Sequence, residues 1–422
     1  MSATFEEIEL TMLRSVVKES EQLKGEKIMN SPETKKMIFL VEEFISKHKC
    51  IVYGGTAINN ILPKEDQFYN YDFELPDYDF FSPNAFKLAT ILANLYVKHG
   101  FKDVEAKSGI HKGTYKVFVN FIGIADITYI HPDLYQSLKK ASILKHSILY
   151  APVNFLRQSM FLEMSSPMGD VSRWEKIFTR LKLLNKHYPL TSNSCERQDT
   201  PSRDIKLFQL TKKTLMKEGV VFIGAYANSM YLSVANKTHI KNVHDFDVLS
   251  ITPQATVKNL VEVLSHAGYA VTTKEYKPIN DMILKHYSVS VNNEPIAFVY
   301  EPIACHSYHV IKESNHDLKI GTIYTLLCYY LAFMYANRDY FDENRLLCLS
   351  SVLFNVHHKN RLSKGILKSF VLDCYGNQKN LIDIMKEKSR MYAKLSHNST
   401  EYKERFFRYV PKKNLNATYS VL

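Results

Sequence analysis

The sequence predicts an α/β protein with mixed sheets: a first unit, a second unit of related topology, and helical N- and C-terminal segments. Three observations carry this prediction. An apolar strand running into a small-residue turn occurs twice, as Cys50-Ile51-Val52-Tyr53 before Gly54-Gly55-Thr56-Ala57 and as Val220-Val221-Phe222-Ile223 before Gly224-Ala225-Tyr226-Ala227. Each copy is followed by an apolar-flanked Asp-x-Asp, with Asp77 lying 23 residues beyond Gly54 and Asp245 lying 21 beyond Gly224. Self-similarity of this kind marks a duplicated structural unit. The chain is also long: 422 residues exceed what one hydrophobic core serves, and 45 % hydrophobic with 23 % charged residues is the balance of a folded protein.

The elements follow in order. Residues 1–40 place an acid at position six and lack the apolar centre of a signal peptide, so they read as an amphipathic helix. Residues 41–190 make the first unit: the strand into Gly54, the strand bearing Asp77 and Asp79, a helix over 84–99 stopped at Gly100-Phe101, strands culminating in residues 118–129, and helical residues 153–184. The polar run within 191–204 is the linker. Residues 205–355 repeat the order, with a helix over 256–266 stopped at Gly268-Tyr269, strands culminating in 294–300 and helical residues 320–349; Asp170 and Arg173 in the first unit are echoed by Arg338 and Asp342 in the second. Residues 356–422 form a basic helical segment.

Lys and Arg outnumber Asp and Glu 54 to 43, and residues 359–422 hold most of the surplus. A basic tail on a near-neutral body points to a polyanion, nucleic acid ahead of an acidic membrane; the alternative is a solvated helical face. Cys50, Cys195, Cys305, Cys328, Cys348 and Cys374 lie far apart with no C-x-x-C pair or disulfide-like rhythm, the pattern of a reducing compartment. The longest uncharged run, residues 320–337, contains four tyrosines, two threonines and a glycine, which suits a buried helix better than a membrane span.

The chemistry concentrates in the first copy. Residues i and i+2 of a strand share a face, so Asp77 and Asp79 project together while Tyr78 and Phe80 face the core. Two carboxylates on one face repel unless cations sit between them. With Asp126 from a later apolar strand they make a hard, all-oxygen site suited to Mg²⁺ or Mn²⁺, with room for two ions. The glycines of Gly54-Gly55-Thr56 let backbone approach a phosphate, and a helix opening there aims N–H groups at it.

The order of strand, G-G-[ST], a gap of about 20 residues, D-x-D and a third Asp resembles the nucleotidyltransferase superfamily that includes DNA polymerase beta. Within it, YGGTAINNILP at 53–63, LPDYDFFSPNA at 75–85 and GIADITYI at 123–130 resemble the poly(A) polymerase catalytic subunits of poxviruses, African swine fever virus and mimivirus-like giant viruses. The resemblance spans roughly residues 40–350 and is specific over the first half. It implies a nucleotidyltransferase domain followed by a degenerate second one. It also implies template-independent addition of AMP from ATP to RNA 3′ ends, with Asp77, Asp79 and Asp126 as metal ligands and catalytic groups and Asp126 as a base toward the 3′-hydroxyl. Gly54, Gly55 and Thr56 become triphosphate contacts. Single-stranded RNA and ATP are the implied partners, with a second copy or a separate processivity subunit both open, no membrane, and the infected-cell cytoplasm, with packaging in the virion, as location. Other transfers (CCA addition, uridylylation, 2′-5′ oligoadenylate synthesis) share the motif, and an inactive RNA-binding scaffold is the non-enzymatic alternative.

The second copy departs from the pattern. Gly55 is matched by Ala225, Thr56 by Tyr226 and Asp126 by Phe298, and a phenylalanine cannot bind magnesium. Residues 205–350 therefore read as a retained wall of the substrate cleft or a dimer surface, with Asp245 and Asp247 alternatively only solvating a strand end. Asp72 and Glu74 form a competing acidic pair that looks like loop; His111-Lys112-Gly113-Thr114 reads as a hairpin turn or a phosphate contact; Cys305, His306 and His309 lack a second cluster for zinc. Lys403, Arg405, Phe406, Phe407, Arg408, Tyr409, Lys412 and Lys413 interleave cations and aromatics, which suits unpaired RNA or a docked helix with Phe406 and Phe407 in the core.

Overall fold

The computed structural model describes residues 4–191, 204–234, 243, 245–279, 282–313, 316–336, 341–360 and 364–412. Nearly all of the expected linker, with Cys195, Arg338 and Lys413, lies outside them. The chain divides into two compact units: the described parts of Met1–Tyr135, Lys139–Ala151 and Ile384–Leu422 form one, and those of Gln136–Leu138 and Pro152–Asp383 the other.

The first unit opens with helices α1 (Phe5–Met29) and α2 (Pro32–Lys47). Thr4 and Glu7 form a reciprocal cap on α1, and Ser31 caps α2 with Pro32 in its first turn. There follow β1 (Ile51–Val52), α3 (Gly54–Ile61), β2 (Tyr78–Ser82), α4 (Ala85–Lys98), β3 (Val104–Ser108), β4 (Thr114–Val119), β5 (Ile122–Tyr129), α5 (Pro132–Ala141), β6 (Ile143–Lys145) and β7 (Ile148–Tyr150). The second unit contains α6 (Val153–Met164), α7 (Trp174–His187), α8 (Ile205–Lys217), β8 (Val221–Ile223), α9 (Gly224–Val234), β9 (Phe246–Leu249), α10 (Pro253–His266), β10 (Val271–Tyr276), β11 (His286–Val291), β12 (Glu294–Tyr300), β13 (His306–Glu313), β14 (His316–Gly321), α11 (Ile323–Phe333), α12 (Glu343–Asn360) and β15 (Cys374–Tyr375). The chain closes with α13 (Leu381–Lys394), α14 (Thr400–Arg405) and β16 (Arg408–Tyr409).

The strand orders expose the duplication. The first sheet runs β16-β3-β4-β5-β2-β1-β7-β6 and the second β10-β11-β12-β9-β8-β14-β13-β15, so seven strands recur in one order with an extra strand at opposite edges. Both sheets are mixed: β2 lies parallel to β5 and antiparallel to β1, as β9 lies parallel to β12 and antiparallel to β8. Even the turns repeat. The β4–β5 turn at Asn120-Phe121 and the β11–β12 turn at Asn292-Asn293 each hold two successive residues at positive φ, the two-residue geometry whose twist matches a hairpin.

In the first sheet, burial alternates residue by residue along β2 and β4, the signature of one covered and one open face. Tyr78, Phe80, Tyr115 and Val117 belong to the core that α2 and α4 cover, whereas Asp79, Phe81, Thr114, Lys116 and Phe118 occupy the open face.

Three expectations need revision. Residues 153–187 pack with the second unit: Phe161 of α6 stacks on Tyr324 of α11 at 5.8 Å, and the Ser307 amide donates to the Ser165 carbonyl at 2.7 Å. The reason is α11 itself, buried at every residue from Ile323 to Phe333 and so in need of apolar helices on all sides. Among the described residues no helix is long and apolar enough to cross a membrane. The C-terminal segment returns to the first unit, where β16 extends the sheet along β3, Phe407 packs on Phe86 and Tyr115, and Phe406 packs on Tyr392 and Tyr402. Those rings are therefore used in packing. Finally, Cys305 and Cys374 form a disulfide, with Cα atoms 5.1 Å apart, against the all-reduced expectation; their separation of 69 residues carries no local rhythm that the sequence could display. Cys50 and Cys328 are free and buried.

Candidate active site

The site is built where β1 turns into α3 beside β2 and β5. Gly54 takes φ +72, and a Cβ there would stand 3.1 Å from Asp79 Oδ2, so glycine both makes the turn and clears room for the carboxylate. The Tyr53 amide donates to the Asp79 carbonyl at 2.9 Å, tying the turn to β2. Strand register then sets Asp79 directly beside Asp126 on parallel β5. Both side chains are half-buried on the open face, and Asp77, just ahead of β2, is exposed.

The Tyr53 phenol reports the combined field of the three acids. Burial first, then Asp79, and with smaller effect Asp126 and Asp77, raise its pKa well above the ordinary range, while its hydrogen bond to Thr128 at 2.9 Å opposes the shift. Its ring stacks on Phe81 with centroids 3.9 Å apart.

Sequence reasoning missed Lys116. On β4 it pairs in register with Asp126, and its ammonium donates to Asp126 Oδ2. Thr114, Lys116 and Phe118 share one face of β4, but nothing local in the sequence links that face to Asp126. Thr56 is buried and its hydroxyl donates to the Asp77 carbonyl at 2.5 Å, bracing the Asp77 backbone, while Gly54 and Gly55 are half-exposed.

The donor set suits a divalent cation: carboxylate oxygens from adjacent strands are hard ligands, and the Lys116 ammonium already sits where positive charge is wanted. Among the described residues, no three acidic, histidine or cysteine groups stand close enough together to hold an ion as they lie. Asp126 is engaged by Lys116.

The competing groups resolve structurally. The Glu74 carboxylate accepts from the Asn70 amide at 3.0 Å in a loop, and Gly113, at φ +83, makes the β3–β4 turn. His306 is fully buried, its Nδ1 3.1 Å from the Ser165 hydroxyl, and burial pushes its pKa down to about 3. A cavity of about 1000 Å³ lined by Glu42, Lys47, Asn60, Lys145 and Tyr150 lies on the helix-covered side, where Tyr78 donates to Glu42 at 2.6 Å, away from Asp79.

In the second unit the same geometry carries other residues. Gly224 takes φ +69 beside Asp247, but Asp247 pairs in register with Phe298. Tyr226, in the place of Thr56, packs among Phe208, Phe222 and Phe246. What remains is a cavity of about 170 Å³ lined by Asp245, Asp247 and Phe298 together with Tyr330, Phe333 and Arg345.

The first copy of a duplicated mixed sheet thus sets paired aspartates beside a glycine turn. Residues 40–170 match the model of the poly(A) polymerase catalytic subunit family. A protein of Acanthamoeba polyphaga mimivirus assigned as such a subunit is 24 % identical over 399 residues, covering 82 % of this chain and 68 % of that protein. An African swine fever virus protein so assigned is 32 % identical over 167 residues, 38 % of this chain and 35 % of its own length. The match thus spans about a third of the African swine fever virus relatives. The crystal structure of the Megavirus polyadenylate synthase shares the fold, with a TM-score of 0.81 at 20 % identity over 93 % of this chain and 84 % of that one.

Proposed function

We propose that the chain is a template-independent RNA 3′ adenylyltransferase, a poly(A) polymerase, with the site on the open face of the first sheet. The observation that carries the reading is the Asp79–Asp126 register pair beside the Gly54 turn, within the segment that matches the family. Asp79 and Asp126, with Asp77, would hold two divalent cations, whose Lewis-acid charge, when bound, serves the attacking hydroxyl and the departing pyrophosphate.

The chain's own groups do the rest. Backbone N–H groups at the start of α3 orient the triphosphate of ATP, and Gly54 and Gly55 let it come close. Asp126 takes the proton of the RNA 3′-hydroxyl as that oxygen attacks the α-phosphorus. The new phosphodiester forms as the bond to pyrophosphate breaks, and positioning with charge stabilisation supplies most of the rate. Tyr53, kept protonated by burial and the nearby acids, adds no negative charge.

Extension of a labelled RNA primer with each nucleoside triphosphate in turn, in Mg²⁺ or Mn²⁺, tests the reading beside an Asp77→Asn/Asp79→Asn variant. ATP-selective ladders lost in the variant are expected. Extension with uridine or cytidine nucleotides at equal efficiency would overturn the adenylyl assignment.

A further inference from the structure

A line of cations crosses the open face of the first sheet. Register places Arg408 beside Lys107, Lys107 beside Lys116, Lys116 beside Asp126 and Asp126 beside Asp79. Residues paired across neighbouring strands project to one face, so these five side chains form a row perpendicular to the strands, cations at one end and carboxylates at the other. We infer that Arg408, Lys107 and Lys116 form a phosphate track for the last nucleotides of single-stranded RNA, leading the 3′-hydroxyl to Asp126. The inference rests on the polymerase reading and adds where the primer lies.

The sheet order separates the two phosphate-bearing substrates. Gly54 and the start of α3 lie on the β1 flank of the carboxylates, whereas β4, β3 and β16 lie on the opposite flank. A triphosphate held at α3 leaves the cation row for the other substrate. At about 4.8 Å per strand the three cations span about 10 Å.

The row is accessible and internally balanced. Side-chain exposures rise along it from 41 % at Lys116 through 46 % at Lys107 to 72 % at Arg408. Lys107 and Arg408 share one carboxylate, Glu105, at 3.6 and 3.4 Å, and Lys107 also lies 4.2 Å from the Phe118 ring centroid. Glu105 thus fixes two cations in place, and arriving phosphates exchange one shared partner for several. The second sheet supplies an internal control. There Ser288 holds the position of Lys116 where Phe298 holds that of Asp126, Lys274 keeps that of Lys107, and among the described residues no strand lies beyond β10 to match β16. The cation next to the third carboxylate and the carboxylate itself are absent together.

The test uses the full chain, with RNA binding followed by fluorescence anisotropy across salt concentrations and extension kinetics varied separately in primer and ATP. For Lys107→Gln/Arg408→Gln, the slope of log affinity against log salt falls by about 1.4, two lost contacts at about 0.7 each. The primer KM rises about tenfold while the ATP KM holds, because only the polynucleotide contacts are removed. Glu105→Gln, which frees both cations without removing either, tightens RNA binding. An unchanged slope and primer KM, a shift in the ATP KM alone, or weaker binding by Glu105→Gln would each overturn the track. A wild-type chain that extends no RNA removes the polymerase reading and this inference with it, whereas an active wild type matched by the double variant removes the track alone.

Discussion

The two sheets share seven strands in one order, yet one is open on a face and the other is closed. Along β4 burial alternates residue by residue, but β11 and β12 run as almost continuously buried stretches. In the second unit Tyr300 packs against Tyr329 and Phe333 of α11, and Phe298 lines the residual cavity with Tyr330 and Arg345. A face roofed by aromatic side chains excludes a triphosphate and a polynucleotide alike. What the duplication preserved is what the sheet needs in order to form: the glycine turn and the strand register. What it lost is the third carboxylate, replaced by Phe298, and the lysine beside it, replaced by Ser288.

Substitutions that treat the two copies differently sharpen the contrast. Asp79→Asn lowers primer extension on the order of 10³-fold, the loss of several kcal/mol of transition-state stabilisation, whereas Asp247→Asn stays within about twofold in the same assay. Similar losses at both positions would break the distinction between a working and a relict site.

Acid separates the units next. His306 is buried neutral with its pKa pushed from 6.5 to about 3, so the protonated form is favoured by unfolding. Its contribution is fully present above about pH 6.5 and is lost as the pH falls toward 3, at up to about 1.4 kcal/mol per pH unit. Thermal unfolding between pH 7 and 4 should therefore show the second unit weakening first, with a flatter profile in His306→Gln. A His306→Gln profile as steep as the wild type would reassign the acid sensitivity to other groups.

Alanine at either turn glycine incurs a left-handed backbone cost of about 1–2 kcal/mol. Gly224→Ala should cost more than Gly54→Ala, because its Cβ would fall 2.0 Å from Asp247 Oδ2 and 2.7 Å from Asp247 Cβ, against 3.1 Å from Asp79 Oδ2 in the first copy. Denaturant titration of the two variants ranks them. The smallest effect concerns Lys116, whose ammonium competes for Asp126. Lys116→Met should raise Mn²⁺ affinity about tenfold, about 1.4 kcal/mol, as read by electron paramagnetic resonance of free Mn²⁺. Weaker Mn²⁺ binding in that variant would show that Lys116 orients Asp126 for the ion instead of opposing it.

Much of this architecture was legible because it is periodic. The duplication and the substitution of Phe298 for Asp126 follow from local pattern, and the register pairs Asp79–Asp126 and Asp247–Phe298 agree with that alignment. The features that escaped depend on partners distant in sequence. Lys116 is an ordinary strand lysine until β4 is laid against β5, and the hydrogen bond from the Thr56 hydroxyl to the Asp77 carbonyl joins residues 21 apart. Helix α6 follows the first sheet in sequence, but its apolar face finds α11 more than 150 residues later. The Cys305–Cys374 bond likewise joins residues that no local spacing relates.

The position of β16 carries a consequence for how the molecule is made. The Ser108 hydroxyl donates to the Arg405 carbonyl across 297 residues, and the adjoining strand β16 occupies the edge of the first sheet at β3. During synthesis that edge emerges early and stays bare while the whole second unit is translated. An exposed strand edge invites pairing with other chains, and closing so long a loop is slow. At about 5–20 residues per second the wait lasts about 15–60 s, so the first unit must shelter its own edge until its final strand arrives.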